Sequence, residues 1–154
     1  VGHTFLTLHA KKENALLGIE SSGHLILPEY FLFDDALVIP LKIAEILDNE
    51  NMSLSEMTSK IPSYPTEKVE IECDDSIKFD VIEKLKTQFT KDYENTNTLD
   101  GIRIDFSDGW VLIRASNTSP ILRLTAEAIT EELVEKYVNM FTKKIQPVIN
   151  AQLK

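Results

Sequence analysis

Trp110-Val-Leu-Ile-Arg114-Ala-Ser-Asn-Thr-Ser-Pro120-Ile-Leu-Arg-Leu-Thr-Ala126 reads as two strands joined by a short polar loop. Val111, Leu112 and Ile113 form one β-rich apolar run, and Ile121, Leu122 and Leu124 begin a second. Between them lie Arg114, Ser116, Asn117, Thr118 and Ser119, closed by Pro120. The loop offers a guanidinium fork, hydroxyls, an amide and backbone N–H groups, which are the donors that phosphate oxygens need. The same residues also make an ordinary polar turn, so on composition alone both readings stay open.

Working outward, the chain from Thr66 reads β-α-β-β-β-α. Val69, Ile71 and Cys73 alternate with Glu70 and Glu72, as in a strand with one wet face. Asp74 and Asp75 are placed to cap a helix whose apolar stripe is Ile77, Val81, Ile82, Leu85 and Phe89. Residues 95–97 read as loop. Ile102, Ile104 and Phe106 alternate with Arg103 and Asp105, and Asp108-Gly109 signals a hairpin before Trp110. After the strand from Ile121 to Glu127, Thr130 caps a final helix. Its core face is Leu133, Val134, Tyr137, Val138, Phe141 and Ile145, and Pro147 is expected to interrupt it. An antiparallel sheet with two helices on one face buries these stripes most economically.

The first part of the chain is organised differently. Residues 4–15 read as a helix or irregular element with a solvated Lys11-Lys12-Glu13 face. Gly18-Ile-Glu20-Ser-Ser22-Gly-His24 is a polar turn between two apolar runs, the second being Leu25-Ile-Leu27. Glu20 accepts hydroxyl donors, Ser22 donates or accepts, and Gly23 lets a backbone approach closely. His24 is a side chain able to exchange a proton near neutral pH. Asp34 and Asp35 read as N-cap and first-turn charges of a helix to about Asp48, with Leu37, Leu41, Ala44 and Leu47 on one face and Pro40 bending or delaying its start. Ser53-Leu-Ser-Glu56 is a capping-box pattern for a short helix to about Lys60. Pro62 and Pro65 mark a domain boundary, giving domains 1–62 and 65–154.

Composition narrows the partners. The chain has 154 residues, 43% hydrophobic and 27% charged, with a net charge of −9. That charge argues against nucleic acid or an anionic membrane as partner, since both reward a basic face. A small phosphorylated ligand needs only local positive charge. The single Cys73 excludes an intrachain disulfide and fits a reducing, cytoplasmic setting. No apolar run approaches the ~20 residues of a membrane span, and no basic-then-apolar leader opens the chain. The chain starts at Val1 inside what reads as a motif, so it is expected to be part of a longer protein.

Two motifs together resemble the α-D-phosphohexomutases, the superfamily that includes phosphomannomutase/phosphoglucomutase and phosphoglucosamine mutase. Arg114-Ala-Ser-Asn-Thr-Ser-Pro120, followed by an apolar strand, resembles that family's phosphate-binding loop. Gly18-Ile-Glu20-Ser-Ser22-Gly-His24 resembles its sugar-binding loop, with Ile19 where the family usually has a second glycine. The motifs come in the family's order, and the similarity spans the chain. Phe33-Asp34-Asp35 resembles the phosphomannomutase/phosphoglucomutase branch.

The resemblance implies the end of a third α/β domain in residues 1–62, and a small C-terminal domain of TATA-binding-protein-like topology in 65–154. It implies that the whole enzyme interconverts hexose 1-phosphate and hexose 6-phosphate through a phosphoserine and Mg2+. Glu20, Ser22 and Gly23 would hold sugar hydroxyls, and Arg114, Ser116, Asn117 and Thr118 the phosphate that is not transferred. His3, in a stretch that resembles the family's Gly-His segment, is a candidate substrate contact, and His24 and His3 are candidates for assisting proton transfer. Arg123, beyond the loop's end, either reaches the phosphate or pairs with a carboxylate, and the residues alone favour the pairing. The family's Thr-x-Ser-His-Asn and Asp-Gly-Asp-x-Asp-Arg loops are absent, and Asp34-Asp35 and Asp74-Asp75 lack the spacing to replace the latter. This chain is therefore expected to be inactive alone and to bind no metal, with the missing N-terminal domains of the same polypeptide and a hexose phosphate as partners. A phosphoglucosamine mutase, or a non-catalytic sugar-phosphate-binding module, is the alternative.

Overall fold

Alternation along the second half of the chain builds one twisted sheet. The computed structural model describes residues 3–20 and 23–152, which divide into two compact units, Val1–Pro62 and Ser63–Lys154. In the second unit the elements run β3 (Thr66–Glu72), α4 (Lys78–Asp92), β4 (Thr96–Asn97), β5 (Ile102–Phe106), β6 (Gly109–Ala115), β7 (Ile121–Ala128) and α5 (Glu131–Gln152). The five strands pair antiparallel in the order β3-β7-β6-β5-β4. Register places Ile71 opposite Leu122, Ile113 opposite Leu124 and Ile102 opposite Ile113, so the apolar residues share one face. Val81, Leu85 and Phe89 of α4 and Val138, Phe141 and Ile145 of α5 join the same buried cluster. At roughly 1.5–3 kcal/mol for each fully buried large side chain, this cluster is what stabilises the unit.

The sequence expectations need four amendments here. Residues 96 and 97 pair with Ile104 and Arg103 as a short edge strand instead of forming loop. The β5–β6 turn is Ser107-Asp108, with Phe106 opposite Gly109. None of these residues takes a positive φ, so Gly109 closes a turn of the ordinary hand. Pro147 lies inside α5, which continues to Gln152; one missing N–H is outweighed by Ile145 and Ile149, both buried. Asp74 does not cap α4 directly: its Oδ1 takes the Ser76 N–H at 2.8 Å, an Asx turn that leads the chain into the helix. Thr130 does cap α5, its Oγ1 accepting the Leu133 N–H at 3.3 Å.

The first unit holds α1 (His3–Lys12), a hairpin of β1 (Gly18–Ile19) and β2 (Leu25–Ile26), α2 (Val38–Glu50) and α3 (Leu54–Thr58). Ala10 and Ile26 are the buried hydrophobic residues among those described in this unit. The Leu37/Leu41 stripe expected to face a core is exposed, at 77% and 71%. Pro40 falls in the first turn of α2, where its missing N–H would have no helical partner anyway. Leu37 is the N-cap residue and makes no side-chain cap, so Asp34 and Asp35 do not cap as expected. The capping box of α3 is formed: Ser53 N–H donates to Glu56 Oε2 at 2.7 Å and Glu56 N–H to Ser53 Oγ at 3.3 Å. The Ser53 hydroxyl also donates to Glu56 Oε2 at 2.7 Å, and that bond, with the one from the Ser53 N–H, holds the Glu56 carboxyl below its usual range. No helix among the described residues is long and apolar enough to cross a membrane.

Candidate functional site

The polar loop between β6 and β7 is braced from behind. Ser116 N–H donates to Ile121 O at 3.0 Å and Ile121 N–H to Ser119 O at 2.9 Å, closing the turn. Cys73 N–H donates to Pro120 O at 3.0 Å. Lys78, only 4% exposed at the start of α4, donates to Ser119 O at 3.1 Å and to Asp75 Oδ1 at 2.7 Å. With its back tied to β3 and α4, the loop turns Asn117 and Thr118 to solvent. Ser116 is buried, and its Oγ accepts the Thr118 N–H at 3.4 Å, so it shapes the turn from within.

Arg114 stands at the mouth of this loop. Its Nε is buried without a hydrogen-bond partner. Its Nη1 lies 3.4 Å from Asp100 Oδ2. Gly101, at φ +80°, backs against it: a Cβ there would meet Ile113 O at 2.2 Å and Arg114 Cβ at 2.8 Å. Register sets Arg114 directly opposite Arg123, which is opposite Glu70. Arg123 Nε lies 3.6 Å from Glu70 Oε1, the structural pairing expected of it. Two like charges directly opposite are unfavourable unless counter-charge is near. Asp100 and Glu70 supply that counter-charge, one at each arginine.

In the first unit, Glu20, Gly23 and His24 lie between the paired strands β1 and β2. Glu20 N–H donates to His24 O at 3.1 Å and Gly23 N–H to Glu20 O at 3.0 Å, with Gly23 at φ +95°. Ile19 sits in the strand without a positive φ, so a glycine is not required there. His24 Nδ1 is hydrogen-bonded to Asp34 Oδ2, and its Nε2 lies 3.8 Å from Glu20 Oε1. The Asp34 carboxyl is held below its usual range, chiefly by the bond to His24. The His3 ring is 5.9 Å from that of His24 and 5.5 Å from Phe33. Ser22 lies outside the described residues.

The structure thus gathers His3, Glu20 and His24 in the first unit, and Arg114, Ser116, Asn117 and Thr118 in the second. Sequence reasoning missed Asp34, Lys78, Asp100 and Gly101. Lys78 left one signal, a charged residue adjoining the apolar stripe of α4; Asp34 left none, because an acidic pair before a helix reads as a cap. No group of three His, Cys, Asp or Glu among the described residues is placed to hold a metal ion. The acidic pairs are otherwise engaged, Asp34 with His24, Asp35 with Leu37 N–H and Asp74 with Ser76.

Comparison with known proteins adds to this geometry. A family model described as phosphoglucomutase/phosphomannomutase, alpha/beta/alpha domain III, matches residues 1–64, and one described as the C-terminal domain matches residues 69–144. The chain is 36% identical over 149 residues to a phosphomannomutase/phosphoglucomutase of Pseudomonas aeruginosa, covering 96% of this chain and 32% of that protein. It is 32% identical over 152 residues to a probable phosphoglucosamine mutase of Methanopyrus kandleri, covering 96% and 34%. A solved structure of a phosphoglucomutase/phosphomannomutase family protein from Burkholderia thailandensis superposes with a TM-score of 0.81 at 25% identity, over 96% of this chain and 31% of that one. The chain spans about a third of the length of the curated relatives it matches.

Proposed function

We propose, from the premise that this chain belongs to the phosphoglucomutase/phosphomannomutase family, that it supplies the substrate-gripping part of an enzyme interconverting hexose 1-phosphate and hexose 6-phosphate. Arg114 and the exposed donors of Asn117 and Thr118 hold the phosphate that is not being transferred, and Ser116 keeps the turn in shape. Glu20, Ser22 and Gly23 take the ring hydroxyls, and His24 and His3 assist proton movement. The observation that carries this reading is that Arg114, whose Nε lacks a hydrogen-bond partner and whose side chain stays one-fifth exposed, stands at the mouth of the loop that exposes Asn117 and Thr118. An unpaired guanidinium N–H out of water costs about 1–3 kcal/mol, and a phosphate oxygen is an acceptor that repays it.

The phosphoserine and the Mg2+ of the reaction belong, in this reading, to the other domains of the polypeptide. The acidic side chains among the described residues do not gather into a metal site. The reading places the enzyme in the cytoplasm, with neither nucleic acid nor membrane as partner; one cysteine and a net charge of −9 agree with it.

Relatives carry both names, phosphomannomutase/phosphoglucomutase and probable phosphoglucosamine mutase, which keeps glucosamine phosphate as a second substrate. The test is a calorimetric titration of the chain with mannose, glucose and glucosamine 6-phosphates, beside the unphosphorylated sugars. Weak binding of one or more phosphates, no binding of free sugars and no turnover are expected. Turnover by this chain alone would contradict the division of labour. Equal binding of mannose and mannose 6-phosphate would remove the phosphate loop from the site.

A further inference from the structure

His24 has a carboxylate near each ring nitrogen, and the two contacts differ in kind. The Asp34 oxygen is within hydrogen-bonding distance of Nδ1, whereas Glu20 Oε1, 3.8 Å from Nε2, is beyond it. Asp34 reaches the ring from the segment between β2 and α2. Its placement is not explained by capping, since the N-cap of α2 is Leu37 and the Leu37 N–H is taken by Asp35 at 2.9 Å. A carboxylate only accepts, so the ring nitrogen facing Asp34 carries the proton and Nε2 keeps a lone pair when the ring is neutral. Free histidine in water prefers the other tautomer, so a partner must impose this one.

We propose that Asp34 is a positioning residue for His24, holding the proton on Nδ1 so that the Nε2 lone pair meets a sugar hydroxyl held by Glu20. This rests on the reading of residues 20–24 as the hydroxyl grip. When Nε2 takes the hydroxyl proton, the O–H bond breaks, its electron pair stays on the sugar oxygen and an N–H bond forms. The resulting imidazolium is balanced by Asp34 on one side and approached by Glu20 on the other. In the reverse direction the same proton returns to the oxygen. Among the described residues, the titratable groups that face the ring are Asp34, Glu20 and, from α1, His3.

The test is nitrogen-15 NMR of the histidine ring in the 154-residue chain at pH about 8.5, where an ordinary imidazole is neutral. Wild type, Asp34→Asn, Asp34→Glu and the neighbouring control Asp35→Asn are compared. The wild-type ring is expected chiefly as the Nδ1–H tautomer. Asp34→Asn should lower the Nδ1–H to Nε2–H ratio by about tenfold or more, the scale of a charge-assisted bond. Asp34→Glu should restore it in part, and Asp35→Asn should leave it unchanged. A ring whose tautomer ignores Asp34→Asn, with the amide spectrum otherwise intact, overturns the proposal. Saturating mannose 6-phosphate separates the two ideas. If the tautomer follows Asp34 and the ligand moves the His24 signals, both stand. If the tautomer follows Asp34 while no hexose phosphate perturbs His24, Asp34 still positions the ring and the hydroxyl-grip reading falls.

Discussion

Lys78 shows how a single side chain can brace a loop from behind. Its stem is buried, its ammonium ties the Ser119 carbonyl, and Asp75 supplies the counter-charge. Lys78→Met keeps the stem and removes the ammonium, leaving the carbonyl short of a donor. We expect a loss of about 1–3 kcal/mol in urea unfolding of the second unit, and an unchanged midpoint would show that the ammonium braces nothing. Asp34 makes a different prediction. Its pKa is lowered below the usual 3.8 by His24. A group depressed in the folded state stabilises it above the unfolded pKa, and that contribution disappears as pH falls through the folded value. The Asp34–His24 bond should therefore persist through neutral and mildly acid pH and fade only below about pH 3.8. A carbon-13 titration of the Asp34 carboxyl checks this; a midpoint at or above the ordinary value would contradict it.

Elements are where sequence and structure agree best, and where the disagreements have physical causes. The stripes of α4 and α5 and the alternation of β5, β6 and β7 are read directly from residue types, because each buries one face against one core. The short strand β4 is not legible, since two polar residues carry no period. Asp108-Gly109 marks the hairpin, but pairing of Gly109 with Ala128 of β7 pulls the glycine into the strand and leaves Ser107-Asp108 as the turn. Pro147 would end an isolated helix; here Ile145 and Ile149 anchor both sides of it in the core. The start of α5 offers a test. Thr130→Ala deletes the acceptor of the Leu133 N–H, and unfolding should cost about 1 kcal/mol less free energy, within the ~0.5–2 kcal/mol range for caps. Equality with wild type would mean that water caps the helix as well as Thr130 does.

At the scale of the whole molecule, the two compact units differ in how much they bury. Residues 63–154 share a continuous apolar cluster. Among the described residues of the first unit, hydrophobic burial is confined to Ala10 and Ile26. Local opening follows buried contact, so amides of β6 and β7 should exchange with solvent last and those of α2 well before them. Protection of α2 equal to that of β7 would refute this ordering. The candidate residues of the two units are also unequally legible. Arg114 and the Ser-Asn-Thr turn are written consecutively along the chain. The His24 environment is assembled from α1, a hairpin loop and the approach to α2, separations at which only the fold brings residues together.

The most direct measurement is the affinity of the chain for a hexose 6-phosphate, by calorimetry, with and without Arg114→Ala. If the half-buried Arg114 guanidinium completes its hydrogen bonding on the ligand's phosphate, the substitution should cost roughly 1.5–3 kcal/mol, about 10- to 150-fold in affinity. The sugar-hydroxyl contribution should remain. Binding of the same strength in Arg114→Ala and wild type would contradict the assignment of the β6–β7 loop to phosphate.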